Sequence, residues 1–202
     1  MKDTDITLII PTLNRLSPLE VLLKSITHRP TLIVIDKGRQ CDLPASASWK
    51  LFEVLEVAPG RGSVHAMVEG IYAAKTSHVI YFNDDVRIVA PDFIDFALKD
   101  YERILGDRDG VIVLNDCWES LRVANFALIS RKWFLENVGR APYMRFYIDN
   151  EITEKSRHQS VLGFSQRAAI MHRPSVFVGR NDIMQADRKL FDERMAVYWK
   201  KD

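Results

Sequence analysis

Cysteine is scarce in this chain, which has only Cys41 and Cys117. Neither has a partner at metal-ligand spacing, so reduced thiols of a cytosolic protein are expected rather than a zinc site or a disulfide framework. Long apolar runs are missing too. No stretch approaches the ~20 residues of a membrane span. The N-terminal Met1-Lys2-Asp3-Thr4-Asp5 leads straight into a strand and has no signal-peptide core. Together these features predict a soluble, cytoplasmic protein. Charge of one sign is also lacking. With 28 Lys/Arg against 27 Asp/Glu the net charge is +1, so no global field recruits nucleic acid or a membrane. The balance tilts only locally: residues 155–202 hold ten basic and five acidic residues. That tilt suits a phosphate-bearing substrate and a solvated basic face equally well. No internal repeat or low-complexity stretch is visible.

What is present is an ordinary globular composition. The chain has 202 residues, 47% hydrophobic and 27% charged, which predicts one α/β domain over 1–202 with a substantial core. Ile6–Ile10 is a β-branched run closed by Pro11 and reads as a buried strand. Ser17-Pro18-Leu19-Glu20 is a capping box that opens a helix, with Leu19, Leu22, Leu23 and Ile26 on one face. Leu32–Ile35 and Leu51–Val57 are further strands. Pro59-Gly60-Arg61-Gly62 is a turn, with Ser63 as N-cap of a helix carrying Val64, Met67, Val68, Ile71 and Tyr72 inward. His78–Phe82 is a strand that runs into Asn83-Asp84-Asp85, and Pro91 opens another helix. Strands are expected at Val111–Leu114, Val123–Ile129 and Ala168–Met171, and helices at Arg131–Val138, Asp149–Ser156 and 187–200. Alternating strands and helices imply a mainly parallel, Rossmann-like sheet flanked by helices.

In such sheets ligands bind beyond the carboxyl ends of the strands. Three of those ends are polar: Thr12, Asn14 and Arg15 after the first strand, Asp36 after the second, and Asp84 and Asp85 after the fourth. Thr12, Asn14 and Asp36 also read as plain turn residues. Adjacent carboxylates at 84 and 85 repel one another, so a counter-cation accounts for them better than a capping role does.

At this point the pattern resembles the large inverting glycosyltransferase family with the GT-A fold. Ile9-Ile10-Pro11-Thr12-Leu13-Asn14-Arg15 looks like its opening strand. Val34-Ile35-Asp36 resembles the strand whose aspartate reads the nucleotide base. Gly60–Gly70 is similar to the Gly-rich turn and helix, Tyr81–Val86 to the DXD-type motif, and Tyr147–Ile152 to the acidic segment that supplies the catalytic base. His172 stands where several members place a late metal-ligand histidine. The resemblance spans roughly residues 5–175. It implies a nucleotide-sugar-binding half over 1–90 and an acceptor-binding and catalytic half over 91–202.

Two departures from the family pattern matter. Asn83 replaces the first aspartate of the DXD-type motif, which leaves metal binding mainly to Asp85 and puts Asp84 nearer the ribose or donor sugar. His65 and Ala66 stand in place of the usual Arg-Asn pair, so Arg61 is the basic residue left for the diphosphate or base.

The chemistry suits these residue types. Loss of a nucleoside diphosphate builds negative charge, which Mn²⁺ or Mg²⁺ held by carboxylates and substrate phosphates would offset. Inverting transfer also needs a carboxylate to take the acceptor's proton. Asp149 is the expected base. Glu151 is the runner-up, or a group that positions the acceptor. An N-cap role is the plain alternative for Asp149, and a structural role is the alternative for His172. Trp118 and Asn125 are expected to face the acceptor. Arg173 and Arg180 either fold over the diphosphate or belong to a solvated loop.

The expected activity is therefore transfer of a sugar, from a UDP-sugar by preference, to an acceptor hydroxyl with inversion. A nucleotidyltransferase of similar fold is disfavoured because residues 11–15 contain no glycine. A non-catalytic nucleotide or sugar binder is the third reading. A glycan, a protein or a modified DNA base are all open as the acceptor.

Overall fold

The computed structural model describes residues 5–12, 16–26, 31–36, 52–58, 60–117, 123–172 and 181–200. The expected site residues Asn14, Arg15 and Trp118 lie outside these residues, as do Arg173 and Arg180. The elements run β1 (Ile6–Thr12), α1 (Leu16–Ser25), β2 (Thr31–Asp36), β3 (Glu53–Val57), α2 (Gly62–Ala73), β4 (His78–Tyr81), β5 (Val86–Ile88), α3 (Phe93–Leu105), β6 (Val111–Asn115), β7 (Ala127–Ser130), α4 (Arg131–Asn137), α5 (Ile148–His158), β8 (Leu162–His172) and α6 (Asn181–Tyr198).

The strands form one mixed sheet in the order β3-β2-β1-β4-β7-β6-β8-β5. β1, β2, β3 and β4 are mutually parallel, β7 runs antiparallel to both its neighbours, and β6 and β8 are again parallel. β1 is buried at every position, as a central strand covered on both faces must be, and this explains its unbroken apolar run. Leu19, Leu22 and Leu23 of α1, with Ile26 just after it, join the same core cluster as the strands. Among the described residues no helix is long and apolar enough to cross a membrane.

Several boundaries differ from the sequence expectation, each for a physical reason. α2 starts at Gly62, with Arg61 at the cap position and no side-chain cap. Ser63 therefore does not cap it, and the Val64 N–H donates instead to the Met144 carbonyl. The strand expected from Val123 begins at Ala127, because Asn125 N–H turns back to Val123 O and Ala124 N–H is taken by Thr153 Oγ1. β8 starts at Leu162, six residues before the expected Ala168. Its early inward positions are Gly163 and Ser165, both buried, and small residues hide the apolar alternation that marks a strand. Gly163 is small of necessity: a Cβ there would lie 2.5 Å from Ile112 Cδ1. β5 was not expected at all. It has three residues and exists only by antiparallel pairing with β8.

Candidate functional site

The carboxyl ends of β1 and β4 lie side by side, since Ile9 pairs with Tyr81 and the next amide, Phe82 N–H, donates to Ile9 O. That contact brings Thr12 to the Asn83-Asp84-Asp85 turn. Thr12 Oγ1 donates to Asp84 Oδ2 at 2.9 Å, with both residues buried. β5 then carries the chain against the end of β8, pairing Val86 with His172. This register sets His172 Nε2 3.4 Å from Asp85 Oδ1, a carboxylate and an imidazole far apart in the sequence. Phe126 packs edge-on against the imidazole with ring centroids 5.1 Å apart, and His172 N–H donates to Asp116 O.

Above these strand ends lies a cavity of about 330 Å³. Pro11, Asn83, Asn125, Asp149 and His172, all singled out from the sequence, share its lining. Thr12 and Asp84 are buried and do not line it. Arg61 is exposed at the start of α2 and does not line it, whereas Ser63, Val64 and Met67 of that helix do. β2 ends at Asp36, in register with Val57.

Asp149 is the second residue of α5, whose preceding residue, Tyr147, has a left-handed backbone (φ 68°). A helix start on its own favours the ionised carboxylate. Burial wins instead: it raises the Asp149 pKa above the ordinary aspartate value, and the N–H groups of Asn150 and Asp149 itself only temper the rise. Tyr81 lies close by and donates its hydroxyl to the Ala124 carbonyl. Its pKa is pushed well up by burial and then by the Asp149 charge.

Glu151 does not join Asp149. Residues two apart on a helix point about 200° apart around its axis, so Glu151 faces the interior and is fully buried. Its Oε1 accepts from Lys155 Nζ and Arg194 Nη2, and its Oε2 from Tyr143 Oη at 2.7 Å and Arg194 Nε at 2.8 Å. Burial alone would raise its pKa, but the bonds from Arg194, Lys155 and Tyr143 outweigh that and hold it below the usual glutamate range. The expectation of Glu151 as alternative base or acceptor-positioning group is corrected on this geometry: every oxygen is already engaged away from the cavity.

Removing Glu151 should therefore cost stability. Glu151→Ala leaves Lys155 and Arg194 without their carboxylate, and breaking such a buried pair costs about 3–5 kcal/mol, readable as a lowered urea midpoint. Because the folded pKa is depressed, this contribution is complete above the ordinary glutamate range and fades as pH falls through the lower folded value. An unchanged midpoint at neutral pH would contradict the assignment.

Arg145 and Phe146 also line the cavity and are not among the site residues expected from the sequence. The aromatic and basic run Tyr143–Tyr147 was the available signal for them. Nothing in the sequence marked Asp187, whose carboxylate accepts from the backbone of Met144, Arg145 and Phe146.

The chain matches no protein-family model and no curated protein. Solved structures do match by shape. One is glucosyl-3-phosphoglycerate synthase from Mycobacterium tuberculosis with Mn²⁺, UDP-glucose and phosphoglyceric acid, with a TM-score of 0.65 and 13% identity over 94% of this chain and 79% of that one. A mannosyltransferase from Pyrobaculum calidifontis with GDP-mannose and Mn²⁺ gives 0.64 and 16%, over 98% of this chain and 64% of that one. This chain has the GT-A fold. A further GT-A neighbour is S. aureus TarS 1–349, with a TM-score of 0.67 and 10% identity, over 94% of this chain and 64% of that one. Within the GT-A fold the cavity occupies the position the strand-end rule assigns to a ligand.

Proposed function

We propose that this chain is a divalent-metal-dependent glycosyltransferase that moves a sugar from a nucleoside-diphosphate sugar to an acceptor hydroxyl with inversion. The observation that carries the reading is one cavity in which Asp149, a carboxylate of raised proton affinity, shares the lining with His172, the partner of Asp85. The donor set fits a metal. Asp85, just before β5, and His172, at the end of β8, would supply one oxygen and one nitrogen ligand. Among the described residues no group of three such side chains gathers, so a cation here would have to complete its shell with diphosphate oxygens and water. A bound Mn²⁺ or Mg²⁺ would supply Lewis-acid stabilisation of the departing diphosphate.

The chain's own groups divide the remaining work. Thr12 anchors Asp84 by a buried hydrogen bond, which fixes the turn carrying Asn83 and Asp85. Asp36 recognises the base, and Arg61, exposed at the start of α2 outside the cavity lining, is left to meet only a part of the diphosphate that extends beyond it. Asn125 and Phe126 form the acceptor side of the cavity. Asp149 accepts the proton of the acceptor hydroxyl as that oxygen attacks the anomeric carbon from the face opposite the leaving group. The neighbours' complexes contain UDP-glucose in one case and GDP-mannose in another. For this chain a UDP-sugar is proposed, on the single aspartate at the end of β2.

A calorimetric competition among UDP, GDP, CDP and dTDP in Mn²⁺ tests the donor. UDP is expected to bind most tightly, and tighter GDP binding would overturn the uridine assignment. Transfer assays with UDP-sugars and analysis of the product's anomeric configuration test the reaction. Release of nucleotide without any glycosylated acceptor would argue for a hydrolase, and a donor left intact for a binder.

A further inference from the structure

We propose that Asp187, on the last helix, is a positioning residue for this active site: it holds the segment 144–146 in the conformation that presents Arg145, Phe146 and Asp149 to the cavity. The inference rests on the glycosyltransferase reading. Asp187 is buried on a helix whose other buried residue is Met195. Its Oδ1 accepts from Met144 N–H at 3.0 Å, and its Oδ2 from Arg145 N–H at 2.8 Å and Phe146 N–H at 2.9 Å. Three successive amides converging on one carboxylate form an anion-holding nest, and charged acceptors make the stronger bonds. The segment lies outside any helix or strand, so without the carboxylate these donors would lose the partners that a folded backbone requires.

The nest leads directly into the functional geometry. Tyr147 follows with its left-handed backbone, a conformation that persists in a bulky residue only when the surroundings impose it. The Tyr147 carbonyl accepts from Glu151 N–H, so this turn sets where α5 begins and hence where Asp149 stands. α6 fastens the turn twice: Phe191 stacks on the Tyr147 ring at 5.5 Å, one helical turn beyond Asp187. From the opposite side α2 closes on the same backbone. Val64 N–H donates to Met144 O, and a Cβ at Gly62 would lie 2.0 Å from that oxygen. The segment is clamped between the helix that lines the donor side and the terminal helix.

The test uses the full chain carrying Asp187→Asn, which preserves shape but turns an amide N–H towards backbone N–H donors. Hydrogen exchange at residues 144–146 is expected to accelerate. Turnover should fall about 10–100-fold, the scale of a small misplacement transmitted from outside the chemistry, while UDP affinity in Mn²⁺ stays at the wild-type value. Should this variant not fold, Asp187→Glu keeps the charge but carries the carboxylate one methylene too far for the nest, and the same split is expected. A folded variant with wild-type turnover, even with a lowered melting temperature, would overturn the proposal and leave Asp187 a purely structural acid. Wild-type protein that transfers sugar from no donor would overturn the glycosyltransferase reading, and the positioning role with it. The two failures are distinguishable because only the first leaves an active parent.

Discussion

Asp149→Asn is expected to abolish sugar transfer while leaving donor binding nearly intact. Asp149 lines the cavity at the start of α5, and burial raises its pKa above that of an ordinary aspartate. A carboxylate of raised proton affinity is a better base, provided it is ionised at the working pH. Asparagine keeps the shape and still offers an oxygen to the nearby backbone amides, so the fold should survive. Indeed, burial works against the charged form, so removing the charge should not lower stability at neutral pH. What asparagine lacks is the ability to take the proton, and losing such a group typically costs about 10²–10⁴ in rate.

The pH dependence follows from the sign of the shift. Activity needs the ionised form and is lost as pH falls through the folded pKa of Asp149. That value is raised, so the acid limb of kcat should lie above the ordinary aspartate range. The residual activity of Asp149→Asn should lose this limb. Stopped transfer assays across pH, together with UDP calorimetry, check both halves. Near-normal turnover in the variant would remove Asp149 from the mechanism. Glu151 could not readily inherit the role, because its oxygens already accept from Arg194, Lys155 and Tyr143.

The second large effect is expected at Asp85. Mn²⁺ should strengthen UDP binding to the wild type and fail to do so in Asp85→Ala. Asp85 meets His172 because β5 pairs antiparallel with the end of β8. Asp84 is held differently, by the Thr12 hydroxyl in a buried contact, which leaves Asp85 as the carboxylate beside the imidazole. Loss of a partner that merely supports a metal ligand typically costs about 10–100-fold in affinity or activity, and loss of a direct ligand should cost at least that. Calorimetry of UDP with and without Mn²⁺ reads the difference. Equal metal-dependent affinity in wild type and Asp85→Ala would rule out this centre.

How far the site was legible depends on the range of the interactions that build it. The strand-end residues Thr12, Asn83, Asp84 and Asp85 were readable because each follows an apolar strand in local sequence. Asp149 was readable as an acid at a helix start. Its environment was not: the local rule of helix-end electrostatics favours ionisation, whereas burial by distant elements reverses the net effect. In sequence, Glu151 stood as runner-up to Asp149 for the same role. The turn of the helix separates them, sending one to the cavity and the other to Arg194 on α6.

The sequence by itself determined the alternation of elements, the buried β1 and the polar ends of β1 and β4. These follow from periodicity and from residues close along the chain. It did not reveal β5, the first half of β8 or the antiparallel turn of β7. β5 is stabilised by a partner more than eighty residues away, and β8 is hidden by small inward residues that only its packed neighbours explain. Tertiary structure alone decided the meeting of Asp85 with His172, the diversion of Glu151 into the α5–α6 junction and the capture of residues 144–146 by Asp187. Each joins groups distant in sequence, whose hydrogen bonds and charges gain their strength only once the chain has excluded water around them.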